Sequence, residues 1–475
     1  MRSLDDVFVD DLHELREQVR RSSDASTLRP IGLKEIVRGR GALQSLSRVL
    51  ERNGVEAAAR ICVLSDSTPK SYLGGDVLDV VRGLLDVFYD VSVVKVGRQP
   101  DELVHADETT VARCRNDVAR LAPSALVSVG SGTVVDIAKY VAREFDLAHV
   151  VVQTAASVNG FADDQSVLLI DGVKRTTPSQ WPRALVIDPY VVADAPLAMN
   201  LSGLGDQLSM FSAAADWYLA NAVGFDASFS STPLAMMRRE ANALWPHVHD
   251  LGHGDHQAVD LLASSLAVGG IAMGVAGRTA PSSGTEHVIS HLLEMRAGAS
   301  QRTSSSHGAT VGVTSVVAVL LWQRIRDALN QGGCRADSSN VATRDRVLAA
   351  FERLDDNGAA AQECWTAYQK KANWIHSHLE DINHVIEHWP VHDPDVDELL
   401  MSPSFVAGNL TLAGAPTSFD DLAPAPEPDV VTWALKNCHL MRDRFTVVDL
   451  ADLIGAWHDD DVDHLLADLR QLAHP

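Results

Sequence analysis

The sequence predicts an α/β amino-terminal domain built on a parallel, Rossmann-like sheet, followed by an all-α carboxy-terminal domain. Three observations predict it. Residues 33–195 alternate short apolar runs of strand character with stretches of helical period. Three of those runs end in small polar residues, the pattern of strands whose carboxyl ends border a ligand crevice. From Pro196 onward the periodicity is mostly helical. The expected division is an extension over 1–32, the α/β domain over 33–195 and the helical domain over 196–475.

Taken in order, Val7 to Arg21 mixes acidic and basic residues at helical spacing and stops at Ser22-Ser23-Asp24, which reads as a surface or oligomer-contact extension. Arg60 to Leu64 is a strand ending in Ser65-Asp66-Ser67-Thr68. Ala125 to Val129 is a second, running into Gly130-Ser131-Gly132-Thr133 and then a helical stretch over Val134 to Ala142. His149 to Val152 is a third, ending in Gln153-Thr154-Ala155-Ala156-Ser157. Ser166 to Lys174 reads as a hairpin turning at Asp171-Gly172, and Ala184 to Ile187 as the last strand. Beyond it, the apolar runs Leu266–Gly277 and Val311–Trp322 read as buried helices. Gln331–Asp345, Val391–Pro394 and Ala423–Asp429 read as loops.

A strand, a glycine turn and a helix amino terminus form a phosphate site, because glycine lets the backbone approach and free N–H groups point at the anion. The bland alternative is a tight βα turn that uses glycine for steric reasons alone. In the helical half, Asp206 closes a glycine turn, Gly203-Leu204-Gly205, at the expected start of an apolar helix. His287 and His291 fall four apart, on one helix face, and His307 stands between Ser304-Ser305-Ser306 and Gly308. Asp206, His287 and His307 satisfy three positions of a divalent metal and leave the fourth for a substrate oxygen. The competing reading makes the histidines ordinary surface or core residues and Asp206 a helix N-cap.

The bulk composition restricts the partners. With 63 acidic against 40 basic residues the net charge is −23, which disfavours nucleic acid and anionic membrane as partners. Five scattered cysteines without a C-x-x-C pair predict neither a disulfide framework nor a thiolate zinc site, and suit a reducing cytoplasm. The acidic start, Met1 to Asp6, has no leader-like apolar stretch.

The chain resembles the glycerol-1-phosphate dehydrogenase branch of the iron-containing alcohol dehydrogenase and dehydroquinate synthase-like superfamily. The resemblance is carried by Gly130-Ser131-Gly132-Thr133 with Asp136, by Thr154 to Phe161, and by Gly203 to Asp206. Ala215-Asp216-Trp217, Ser283 to His291, and His307-Gly308 complete it. It spans residues 33 to about 325, and more loosely to about 455. It implies the dehydroquinate synthase-like two-domain fold, NAD or NADP, and one divalent metal, with Zn the first expectation and Fe, Ni or Co accepted by the same donors. It also implies reversible reduction of dihydroxyacetone phosphate to sn-glycerol 1-phosphate by a cytoplasmic homo-oligomer that does not insert into membranes.

Three positions depart from the pattern. Asn159 stands where many members have Asp, Met210 where bacterial members often have Lys, and Thr310 where many have Lys. Two of these changes remove a cation, so a phosphorylated substrate would need other donors, such as Arg278 or Lys174. The alternative substrate is a non-phosphorylated hydroxy-ketone or secondary alcohol. A dehydroquinate synthase-like cyclase and a non-catalytic homologue are further alternatives. In the dehydrogenase reading the pyrophosphate lies at Gly130, Ser131, Gly132 and Thr133. Asp66 meets the adenosine end, and Thr154 and Ser157 lie near the nicotinamide ribose. Asp136 is either a cofactor contact or a first-turn acid that stabilises its helix. His291 either relays a proton or packs as a helix-face histidine, Asn159 hydrogen-bonds a substrate hydroxyl, and Asp216-Trp217 is a packing and capping pair.

Overall fold

The three apolar runs with polar ends become adjacent strands at the middle of one sheet. The structure is a computed structural model that describes residues 8–10, 12–97 and 104–473. Its strands are β1 (Phe8–Asp10), β2 (Glu35–Arg38), β3 (Arg60–Ser65), β4 (Ser71–Tyr72), β5 (Gly75–Asp76), β6 (Asp90–Lys95), β7 (Ala125–Gly130), β8 (Ala148–Gln153), β9 (Gln165–Ile170), β10 (Val173–Pro178) and β11 (Ala184–Ile187). The main sheet has the order β1-β2-β11-β8-β7-β3-β6. All its pairings are parallel except β1 on β2.

Every residue of β7 and β8 is buried, as expected where helices cover both faces of a parallel sheet. The two faces separate with period two. Ile61, Val63, Val127 and Val129 join one core, and Cys62, Leu64 and Leu126 the other. From β3 the chain moves outward to β6, and from β7 it moves the other way to β8. The strand order therefore reverses between β3 and β7, where α/β sheets take their ligands. The β9–β10 hairpin turns at Asp171 (φ 48°) and Gly172 (φ 77°), the left-handed pair a two-residue turn requires.

The chain forms two compact units. One comprises 1–170, 174–203 and 232–279, and the other 171–173, 204–231 and 280–475. The structure thus departs from the expected break near 195, because the chain returns to the first unit over 232–279. The returning helix His256–Ala276 is mostly apolar and carries glycines where it meets first-unit backbone and rings. A Cβ on Gly270 would stand 2.4 Å from the Asn159 carbonyl oxygen, and one on Gly274 would stand 2.2 Å from the Trp181 ring. Helix His256–Ala276 and helix His307–Gln331 are each long and apolar enough to cross a membrane, but their most apolar stretches are 100% and 83% buried, so they serve as core helices.

Two further expectations are corrected. The amino-terminal segment is not one helix from Val7, a residue outside the described ones. Phe8–Asp10 pairs antiparallel with β2, and the helix begins only at His13. A strand edge offering unpaired backbone groups outweighs the helical spacing there. Val391–Pro394 is not a loop but lies within the helix Trp389–Leu399, despite Pro394. Burial of Trp389, Val396 and Leu399 on one face holds that helix and offsets the hydrogen bond that proline cannot donate.

In the second unit, helix His307–Gln331 is packed by Met210–Ala222, Thr285–Ala299, Pro403–Ala413 and Asp459–Ala473. The fully buried Lys371 ties the carboxy-terminal segment down. It pairs with Asp449 at 2.6 Å and donates to the carbonyls of His439 and Arg444.

His149, fully buried in β8, sets a pH limit on the first unit. Burial, and then the charge of Lys139, push its pKa down from 6.5 to about 3. The folded protein keeps it neutral while the unfolded chain protonates near 6.5, so its contribution is complete above that pH and is lost as pH falls toward 3. His149→Gln is expected to flatten the acid limb of stability by up to about 1.4 kcal/mol per pH unit between roughly pH 6 and 4. Urea melts across that range measure it, and identical acid slopes for wild type and variant would show that the ring protonates in place.

Candidate metal centre and nucleotide site

Asp206, His287 and His307 come from three helices, Leu197–Leu208, Thr285–Ala299 and His307–Gln331. All three residues belong to the second unit. Gly203-Leu204-Gly205 is helical, so the expected glycine turn is absent and Asp206 is not an N-cap. The glycines serve close approach instead. A Cβ on Gly205 would stand 2.0 Å from the Gly308 carbonyl oxygen, and one on Gly312 would stand 3.0 Å from the Gly205 Cα. This crossing draws together Asp206 and His307, the immediate neighbours of Gly205 and Gly308.

The side chains converge. His287 Nε2 is 3.4 Å and His307 Nε2 3.9 Å from Asp206 Oδ1. The three prospective ligand atoms lie within 4.8 Å of one another, the one such group among the described residues. Behind each imidazole stands a glutamate. Glu286 Oε1 accepts from His287 Nδ1 at 3.0 Å, and Glu294 Oε1 accepts from His307 Nδ1 at 2.6 Å. A carboxylate on Nδ1 fixes the tautomer that presents Nε2 and raises its basicity. The glutamates are themselves held: Glu286 accepts from Ser212 Oγ at 2.7 Å and Gly284 N at 2.5 Å, and Glu294 accepts from Ser290 Oγ at 2.9 Å.

The electrostatics call for a cation. Burial opposes the charged form of His287, but hydrogen bonds and charge from Asp206 and Glu286 outweigh it and hold the ring up at about 9. Burial likewise opposes ionisation of Glu286, yet its bonds from His287, Gly284 and Ser212 hold its carboxyl below the usual range. Asp206, Glu286 and Glu294 place three carboxylates around two imidazoles. A divalent ion at the point where Asp206 Oδ1 and both Nε2 atoms meet fits that donor set and its charge.

Asp216 positions the helix that carries His287. It accepts from Thr285 N at 2.7 Å, Val447 N at 2.9 Å and Trp322 Nε1 at 3.1 Å, so one carboxylate joins three segments. Burial, and then Glu286, push it up to about 7. His291 lies one turn beyond His287, its ring stacked on His307 with centroids 5.3 Å apart. Its Nδ1 is 2.7 Å from Nη2 of the buried Arg442. Glu294 and Arg442 were not singled out in the sequence. Glu294 lies seven residues after His287, on the same helix face, which is a usable signal. Arg442 is separated from His291 by 151 residues and gives none.

In the first unit the two glycines after β7 divide the work. A Cβ on Gly130 would stand 2.5 Å from the Val134 side chain, so Gly130 is a packing requirement. A Cβ on Gly132 would meet only Val158 at 3.6 Å, which leaves space beside the first residue of helix Gly132–Glu144. Ser131, the N-cap, shares a hydrogen bond with Ser157 at 2.6 Å, and Thr133 follows in the first turn. Thr154 N donates to the Gly130 carbonyl at 3.2 Å, and Ser65 Oγ donates to the Val129 carbonyl at 2.9 Å. Asp66, just after β3, is paired with Lys70, its carbonyl accepting from Lys95 Nζ at 2.6 Å.

Asp136 is neither a first-turn acid nor directed to the turn. It is the fifth residue of its helix and lies 3.5 Å from the fully buried Lys139. Lys139 also pairs with Asp163 at 2.5 Å, and a buried ammonium needs such partners. Lys139 further binds the Gly160 and Gln165 carbonyls, which fixes the segment after Asn159. Asn159 itself is buried against Gly269. Lys174 faces Asp136 electrostatically, and Arg278 follows the end of helix His256–Ala276; both belong to the first unit. Met210 and Thr310 are buried. Met210 Sδ accepts from Gln207, and Thr310 Oγ1 donates to the Ser306 carbonyl at 3.3 Å. Thr310 and Glu294 border a cavity of about 710 Å³ that Arg296 and Arg302 also line.

Comparison with known proteins identifies the family. Residues 37–196 match the model of the iron-containing alcohol dehydrogenase family. A glycerol-1-phosphate dehydrogenase [NAD(P)+] of Thermofilum pendens is 32% identical over 326 residues, covering 67% of this chain and 88% of the relative. The enzyme of that name from Geobacillus thermodenitrificans is 30% identical over 301 residues, 62% of this chain and 71% of the relative. Among solved structures, glycerol dehydrogenase of Schizosaccharomyces pombe superposes with a TM-score of 0.57 at 15% identity, covering 92% of this chain and 90% of that one. That likeness concerns the fold. Sequence identity at this level over most of a relative's length fixes the family: the chain belongs to the glycerol-1-phosphate dehydrogenase branch of the iron-containing alcohol dehydrogenases, and is an oxidoreductase.

Proposed function

We propose that this protein reduces dihydroxyacetone phosphate to sn-glycerol 1-phosphate, reversibly, with NAD(P)H and a divalent metal held by Asp206, His287 and His307. The observation that carries the reading is the convergence of Asp206 Oδ1 with two Nε2 atoms, each imidazole backed by its own glutamate. Relatives named glycerol-1-phosphate dehydrogenase [NAD(P)+] support the substrate and the nicotinamide cofactor. When bound, the metal supplies Lewis-acid polarisation of the substrate carbonyl. Zn is the first choice, and Fe, Ni or Co suit the same donors.

The chain's own residues do the rest. Glu286 and Glu294 orient the two imidazoles. The amides after Gly130, with Ser131 and Thr133, receive the pyrophosphate at the helix amino terminus. Thr154 and Ser157 serve the nicotinamide ribose, and Asp66 the adenosine end. His291 donates a hydrogen bond to the product oxygen, and Asn159 donates one to a substrate hydroxyl. We assign the enzyme to the cytoplasm, where its five cysteines stay free thiols, and expect a homo-oligomer. The cyclase and non-catalytic readings gain no comparable support.

A second reading keeps the chemistry and changes the substrate. Met210 and Thr310 contribute no cation and spend their polar contacts internally. An uncharged hydroxy-ketone would need no replacement for them, whereas a phosphate calls on donors such as Arg296 and Arg302.

Asp206→Ala or His287→Ala is expected to abolish metal binding and turnover, and Glu294→Gln to weaken metal binding by about 10- to 100-fold while retaining the fold. Elemental analysis after dialysis reads both, and full occupancy in Asp206→Ala would reject the ligand set. Gly132→Val is expected to weaken NAD(P)H binding without loss of metal, because the added side chain meets space and not core. Fluorescence titration reads it, with unchanged affinity marking the turn as purely structural. Dihydroxyacetone phosphate is expected to exceed dihydroxyacetone in kcat/KM by at least about 10²-fold, about 2.7 kcal/mol of transition-state binding. Equal efficiency would select the second reading.

A further inference from the structure

Three imidazoles crowd one point, and the Nε2 atoms of His287 and His307 lie 3.4 Å and 3.9 Å from Asp206 Oδ1. The His291 ring centroid lies 5.9 Å from that of His287 and 5.3 Å from that of His307. By proximity alone it would be a third imidazole ligand, and it would close the position a substrate needs. The structure contains a device against this. Arg442 Nη2 stands 2.7 Å from His291 Nδ1, and both residues are buried. A guanidinium has only donors and does not deprotonate in proteins. It therefore donates, and Nδ1 must be the accepting, unprotonated nitrogen. The ring proton is then on Nε2.

We infer that Arg442 is a positioning residue that locks His291 as the Nε2–H tautomer, keeping it out of the metal's coordination sphere and ready to donate a hydrogen bond from Nε2 to the product oxygen. Both routes to ligation are blocked. Nδ1 is engaged by the guanidinium, and Nε2 would have to lose its proton first. His287 and His307 are arranged oppositely. Their Nδ1 atoms face carboxylates, which can only accept from an N–H, so their bare Nε2 atoms are turned to the metal position. The partner behind each ring, carboxylate or guanidinium, sorts three neighbouring histidines into two ligands and one donor. The inference about tautomer rests on the hydrogen bond alone, whereas its consequence for the open position rests on the metal reading above.

Two measurements keep those parts separate. In metal-free wild-type protein with ¹⁵N-labelled histidine, the His291 ring, assigned by its loss in His291→Ala, is expected to show the two-bond ¹H–¹⁵N pattern of the Nε2–H tautomer. An Nδ1–H pattern would overturn the inference whatever the metal does. In Co(II)-loaded protein, Arg442→Met is expected to free His291 for coordination. The d–d spectrum should change, azide should no longer bind the cobalt, and kcat should fall at least tenfold with metal retained. His291→Ala in the Arg442→Met background should restore azide binding without restoring kcat, and Arg442→Lys, which keeps a cationic donor, should retain the wild-type spectrum. A wild-type spectrum and azide affinity in folded Arg442→Met would overturn the gating role. If Arg442→Met does not fold, a changed spectrum in Arg442→Lys counts against the role in the same way. Failure of wild-type protein to take up Co(II) would reject the metal reading and the gating role together, while leaving the tautomer result standing.

Discussion

The second unit is organised around a buried excess of negative charge. Asp206, Glu286 and Glu294 converge on two imidazoles where water is largely excluded. Burying carboxylates costs far more than any one hydrogen bond returns, so the arrangement persists only if each oxygen has a donor and a cation completes the centre. Ser212, Ser290 and the Gly284 amide supply donors. Burial opposes a charge on His287, but hydrogen bonds and charge from Asp206 and Glu286 hold the ring up at about 9. The same competition makes the centre a receptive place for a divalent ion, because metal and proton seek the same nitrogen.

The backbone geometry follows from this need. Three helices must bring one side chain each to a single point, and helix axes ordinarily stay 8–10 Å apart. Glycines at 205, 308 and 312 remove the side chains that would hold two of those helices apart. The third helix is placed by Asp216, whose carboxylate caps its first residue and also holds Trp322 and the Val447 amide. Asp216 is close enough to Glu286 that their charges repel, which contributes to its rise to about 7. One acid therefore holds the helix and the other holds the His287 ring, although both are buried in the same core.

The first unit solves a different problem with similar means. In the proposed function a helix amino terminus must be open to an anion and rigidly mounted. The openness is at Gly132, and the mounting is the buried Lys139, held by Asp136, Asp163 and two carbonyls. Three turns of one short helix thus carry a free end, an acid and a buried cation, with the acid turned inward and away from ligand work.

The sequence by itself determined the parallel sheet and its central strands, and it singled out Asp206, His287 and His307, whose side chains the fold brings together. β3, β7 and β8 are continuous apolar runs with polar ends, the pattern of strands buried on both faces. The ligand segments carry their glycines beside them, so their chemistry is local. Only the tertiary structure decided the rest. That Gly203 to Asp206 is helix and not turn depends on Gly308, about a hundred residues away. That 232–279 returns to the first unit depends on which surface the glycine face of one apolar helix meets. That Trp389–Leu399 is helical in spite of Pro394 depends on burial of Trp389. The proton on His291 depends on Arg442, which no spacing rule connects to it. Local pattern encodes what a segment prefers, whereas partners far along the chain fix which of its groups are donors, which are acceptors and which backbone must be bare.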